Sequence, residues 1–286
     1  MDRILFGDNQ FFGINHASEE KARAQALRFR NTDAVMEVLD AAYDMGIRTF
    51  MCTTHDRIAE ICDRVRDNPQ RYSDFKFYPG MPYAHKYADA VTELGVMGAC
   101  KRFVPSGLFS AILTGGKAVA TRDVIGIMKL MIDAEMKMFE GLNTEVIFLQ
   151  NVMTDLLLGL DLKSIFVAFA DHIKKKYAAE PGFFTMNLPR LLACLQECGI
   201  ENPIVCSSIN KIGFRMCGGR QSYEQVIKEK NLRPIAMSVF ASGAIPPAEA
   251  LEYVCGMKEI ESIVFGASTK AHIKQTKELI EGYSQT

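Results

Sequence analysis

Charge of one sign is what this sequence lacks most. Over 286 residues, 33 Lys+Arg stand against 34 Asp+Glu, a formal balance of −1. A nucleic-acid or polyanion binder normally carries a basic stripe, so neither class is expected. No apolar run approaches the roughly 18 residues that a membrane span needs. The opening Met1-Asp2-Arg3-Ile4-Leu5 has no long apolar stretch of the signal-peptide kind, which points to a cytoplasmic protein. Tryptophan is absent, and the eight cysteines form no CxxC pair. Most of them sit among apolar neighbours, as reduced core thiols do. No Pro/Gly-rich linker divides the chain, and one domain over 1–286 is expected.

What is present is an alternation of two patterns. Short apolar runs of the buried-strand kind occupy Ile4–Gly7, Arg48–Cys52, Phe75–Tyr78, Val146–Gln150, Phe183–Met186, Pro203–Ser207, Pro234–Ser238 and Ser262–Phe265. Helical periods lie between them at Thr32–Met45, Thr121–Leu142, Leu188–Cys198, Ser222–Lys230, Ala248–Gly256 and Thr269–Gly282. Thr32 and Asn187 are expected as N-caps, and Ser222 with Gln225 as a capping box. Eight strands with intervening helices predict an α/β fold, a (β/α)8 barrel. Two long excursions follow strands, Asp8–Arg30 and Pro79–Ala120. The second is predicted to form a lid over the face where barrels build their sites.

Four stretches resemble the aldo-keto reductases. Ala34–Phe50 is similar to that family's first helix and second strand, and Phe139–Gln150 to its third helix and fourth strand. Arg233–Gly243 resembles the seventh strand and its loop, and Ser262–Ser268 the eighth strand and helix start. The resemblance implies a (β/α)8 barrel, carbonyl reduction, an Asp–Tyr–Lys–His tetrad and a nicotinamide cofactor, NADP or NAD. At the Asp position stands Cys52, the Tyr position falls near Arg57, and Gln150 or Asn151 replaces the His. Lys76 stands for the Lys, with Tyr78 as the alternative at that register. The tetrad is therefore not retained, and an ordinary reductase is not expected.

The strand ends supply the candidate site. Catalytic candidates are Cys52 as an activated thiolate beside His55, Tyr78 as a substitute proton donor (with Tyr83 a second choice), and Lys76. Ser238, Ser242, Gly266, Ser268 and Thr269 are the candidates for cofactor binding, because a helix start after the last strand favours an anion. Asp8, Asn9, His16, Gln150, Asn151, Asn187, Ser207 and Asn210 complete an amide- and hydroxyl-rich mouth that suits a small-molecule ligand. The same residue types also serve as plain loop and cap residues. His16, His55 and His85 follow three adjacent strands, but no HxH or HExxH spacing joins them into a metal site. The function expected is a divergent barrel binding a small phosphate-bearing ligand or nucleotide cofactor, with a non-standard oxidoreductase activity. A metal- or lysine-dependent lyase or hydrolase (Lys76 or Lys211) and a non-catalytic sensor stand as alternatives.

Overall fold

The computed structural model describes residues 1–14, 18–83 and 117–284, with the backbone alone over 117–123. Eight parallel strands close into a barrel in sequence order: β1 Ile4–Gly7, β2 Thr49–Cys52, β3 Lys76–Met81, β4 Val146–Leu149, β5 Glu180–Thr185, β6 Ile204–Ser208, β7 Arg233–Met237 and β8 Ser262–Phe265. The ring shuts where Leu5 pairs with Val264. The described helices are α1 Glu19–Arg28, α2 Thr32–Asp44, α3 Asp56–Arg66, α4 Lys117–Met136, α5 Asn151–Gly159, α6 Lys163–His172, α7 Leu188–Glu197, α8 Arg220–Glu229, α9 Pro247–Cys255 and α10 Lys270–Ser284. None of the described helices is long and apolar enough to cross a membrane. Residues 84–116, the bulk of the expected lid, lie outside the described residues, as do His16 and His85.

Alternation along each strand divides the apolar residues into two cores. Phe6, Phe50, Phe77, Ile147, Phe183, Val205, Ala236 and Ile263 face outward and pack beneath the helices. Leu5, Met51, Tyr78, Phe148, Cys206, Ile235 and Val264 face inward and fill the barrel. Two glycines make room for that filling. A Cβ on Gly80 would lie 2.6 Å from the Phe184 ring, and one on Gly182 would collide with Phe148. The two rings lie across the interior with centroids 4.7 Å apart.

Several local expectations are corrected. The cap of α2 is Asn31, whose side chain accepts from the Ala34 N–H, while Thr32 is the first helical residue. Ser222 lies inside α8, which opens at Gly219, and its hydroxyl donates to the Gly218 carbonyl, so no capping box forms there. β3 continues to Met81 and β5 starts at Glu180, because Pro181 and Gly182 enter the ladder opposite Ile147 and Phe148. Helices α1, α3, α5 and α6 are additional to the helical periods read from the sequence.

Candidate active site

The C-terminal ends of β1 and β2 meet at one carboxylate. Asp8 follows β1 and is only 6% exposed. Its Oδ2 accepts from the backbone N–H of Thr53 at 2.7 Å and from the Thr53 hydroxyl at 2.8 Å. Both bonds go to the same oxygen, and Oδ1 receives neither. Burial pushes the carboxyl up to about 6, against the lowering effect of the Thr53 bonds. Asp8 therefore exchanges a proton near neutrality, at the rim of a barrel, where an acid/base group is useful.

Cys52 does not join it. Odd–even alternation turns its side chain outward into the helix-facing core, where it is buried with Ile58 and Cys62. Burial, with the neighbouring Asp8 and Cys62 charges, holds its thiol well above the ordinary range, opposite to the activation that a nucleophile needs. Cys217 is exposed, whereas Cys52, Cys62 and Cys206 are buried. An aromatic disulfide reagent is thus expected to label Cys217 in the folded protein and to reach Cys52 only after denaturation. Mass mapping of the labelled peptides checks this, and prompt labelling of Cys52 would contradict it.

His55 stands at the mouth and caps α3, its Nδ1 accepting from the Arg57 N–H at 3.1 Å. With that nitrogen accepting, a neutral ring carries its proton on Nε2. Its ring lies 4.3 Å from Phe12 and 5.9 Å from Tyr83.

Lys76 and Tyr78 belong to the opposite end of the barrel, which corrects their assignment as catalytic. The Lys76 Nζ pairs with Glu145 at 3.2 Å and Asp2 at 3.8 Å, and the Tyr78 hydroxyl donates to Glu145 at 3.3 Å. Asp2 and Glu145 precede their strands, so this is the N-terminal face. Burial raises the Tyr78 phenol, with Glu145 and Asp2 adding to the rise. Lys211 pairs with Glu249 at 2.7 Å and is half exposed, so it lacks the desolvation of a Schiff-base lysine.

Glu135 is not among the residues that the sequence reading singles out. It sits on α4 among Ile132, Met136 and Phe139, and is 3% exposed. The Thr54 hydroxyl donates to it at 2.5 Å, and the Tyr83 N–H reaches its two oxygens at 3.1 and 3.2 Å. One carboxylate thereby fixes the tips of β2 and β3. A charged residue at an apolar position of the Met-rich helix is the signal that would have marked it.

The remaining candidates divide by role. Asn187 caps α7, accepting from Arg190. The Ser207 hydroxyl donates to the Thr185 carbonyl at 2.8 Å, and Asn210 braces its own loop through both polar atoms of Phe214. These three already have structural work, although Ser207 and Asn210 are fully buried near the strand ends. Gln150 precedes α5 and its N–H donates to the Met81 carbonyl at 2.9 Å, and Asn151 opens that helix. Asn9 is exposed and opens the turn Asn9–Phe12. After β7, Ser238, Ala241 and Ser242 adopt left-handed φ of 55°, 46° and 59°, a cluster of strain in non-glycine residues. After β8 come exposed Gly266, half-buried Ser268 and Thr269, whose hydroxyl caps α10 by accepting from the His272 N–H. The first turn of α10 and exposed Lys270 lie beside exposed Gly266 at this end of the barrel. Among the described residues, no group of three His, Cys, Asp or Glu side chains is disposed to hold a metal.

Neither a family model nor a curated protein sequence matches the chain. Solved structures with the same architecture are found. A putative aldo-keto reductase from Pseudomonas aeruginosa is 12% identical with a TM-score of 0.58, covering 99% of this chain and 90% of that one. An aldo-keto reductase from Bacillus halodurans in its holo form is 13% identical with a TM-score of 0.51, at 99% and 90% coverage. The protein Gox0644 in its apo form is 9% identical with a TM-score of 0.52, at 100% and 89% coverage. At such identities the likeness is one of fold. The chain is a (β/α)8 barrel whose architecture is similar to that of these reductases.

Proposed function

We propose that this barrel is a non-standard oxidoreductase that holds a phosphate-bearing ligand, a nicotinamide nucleotide, at the ends of β7 and β8. The observation that carries the reading is Asp8, a near-neutral carboxyl clamped by Thr53 at the rim of an aldo-keto-reductase-like barrel. The Gly266–Lys270 helix start supplies backbone donors for the phosphates, and the strained Ser238–Gly243 turn after the neighbouring strand forms the other wall. A bound nicotinamide supplies the two-electron chemistry. The chain supplies the proton: Asp8 gives it to a substrate carbonyl oxygen in reduction and takes it from a hydroxyl in oxidation. Thr53 keeps the carboxyl oriented, and buried Glu135 holds the rim that presents it. Fluorescence titration of NADPH and NADH into the full chain tests the reading. Saturable binding of one of them is expected, and the absence of binding of both would sink it.

A further inference from the structure

Among the described residues two buried side-chain oxygens lack a hydrogen-bond partner, on Gln10 and Gln25, and the first lies next to this site. Gln10, in the turn after β1, is 5% exposed. Its Nε2 donates to the Gly7 carbonyl at 2.8 Å, but its Oε1 is fully enclosed and has no hydrogen-bond partner. A buried amide oxygen without a donor is costly and uncommon. The atom's position is specific: a Cβ on residue 266 would collide with it, so a larger residue there forces the amide to move. Gly266 is itself exposed at the end of β8. The Gln10 amide thus lies directly against Gly266, at the foot of the β8–α10 turn.

We propose that Gln10 determines ligand specificity, its Oε1 accepting a hydrogen bond from a hydroxyl or amide group of a phosphate ester bound over Gly266. The inference rests on the phosphate-bearing ligand proposed above and narrows its class. A bare inorganic anion brings no sugar hydroxyl or amide to this point and gains little from Gln10. A ribosyl phosphate brings donors, and a small turn of the amide about its terminal torsion opens Oε1 to one of them. The ligand then satisfies an acceptor that the free protein leaves unmet, so the bond distinguishes hydroxyl-bearing from plain anionic ligands.

The test compares two probes, NADPH and inorganic pyrophosphate, on the full chain and its Gln10→Met variant, which keeps the side-chain volume and removes the amide. The variant is expected to bind NADPH about tenfold more weakly and pyrophosphate unchanged. Thermal melting verifies folding, and Gln10→Ala gives the same comparison if the Met variant is unstable. Equal losses for both probes, or unchanged NADPH affinity, would overturn the role of Gln10 and leave the phosphate site standing. Wild-type protein that binds pyrophosphate but not NADPH also overturns it. Binding of none of NADPH, NADH and pyrophosphate by the wild type removes the phosphate site and this inference together.

Discussion

Asp8→Asn is expected to lose about 10²–10⁴-fold in turnover while gaining stability. The two effects have one cause. Burial holds the carboxyl of Asp8 up to about 6 in the folded chain. Between pH about 4 and about 6 the folded chain keeps a proton that the unfolded chain has released. Folding stability therefore falls as pH rises through that window, and the full cost of about 3 kcal/mol persists above it. Asparagine has no charge to desolvate, and its Oδ1 still accepts from Thr53. The stability gain of Asp8→Asn should accordingly be largest at pH 7–8 and vanish below pH about 4. Denaturant titrations of both proteins at pH 4 and 8 read this directly. A variant destabilised equally at both pH values would show that Asp8 is an ordinary structural carboxylate.

The second large effect concerns the floor beneath the site. Gly182→Val should destabilise the barrel by about 3 kcal/mol or more, since overpacking a rigid interior forces side chains off their rotamers. Phe148 has no space to retreat into, because its other side meets Phe184, whose ring in turn lies over Gly80. A drop in the denaturation midpoint with an unchanged slope is the expected readout. Adding Phe148→Leu to the variant should recover part of the loss, as coupled neighbours do. An additive or larger loss in the double variant would place the strain elsewhere.

The eight strands were legible because parallel strands covered on both faces read as consecutive apolar runs. β5 was misplaced at its start because Pro181 and Gly182 are poor strand residues that this barrel needs, one at an outward position and one opposite Phe148. That same kind of boundary error misdirected the site. Ending β3 at Tyr78 would place its hydroxyl at the mouth, whereas the strand runs on to Met81 and leaves Tyr78 deep in the barrel, bonded to Glu145 below. Cys52 was correctly located at the end of β2, but the side to which it points is a matter of register, and it points away. Helix α3 was legible in principle, since Ile58, Ile61, Cys62 and Val65 form one buried stripe. Asp8 was recognisable as a mouth residue from its place after β1. Its proton affinity was not, because that depends on burial and on Thr53, 45 residues away in sequence. Glu135 depends likewise on contacts over 52 and 81 residues.

The most direct test of this account is the pH profile of NADPH-dependent reduction over a panel of small aldehydes and ketones, for the wild type and Asp8→Asn. In the wild type, kcat/KM should fall as pH rises through about 6, as the proton-donating form of Asp8 is lost, and the reverse oxidation should rise through the same pH. The variant should be slow and show no such limb. Wild-type rates with the same profile in Asp8→Asn would contradict the account, and so would a wild-type profile without a transition near that pH.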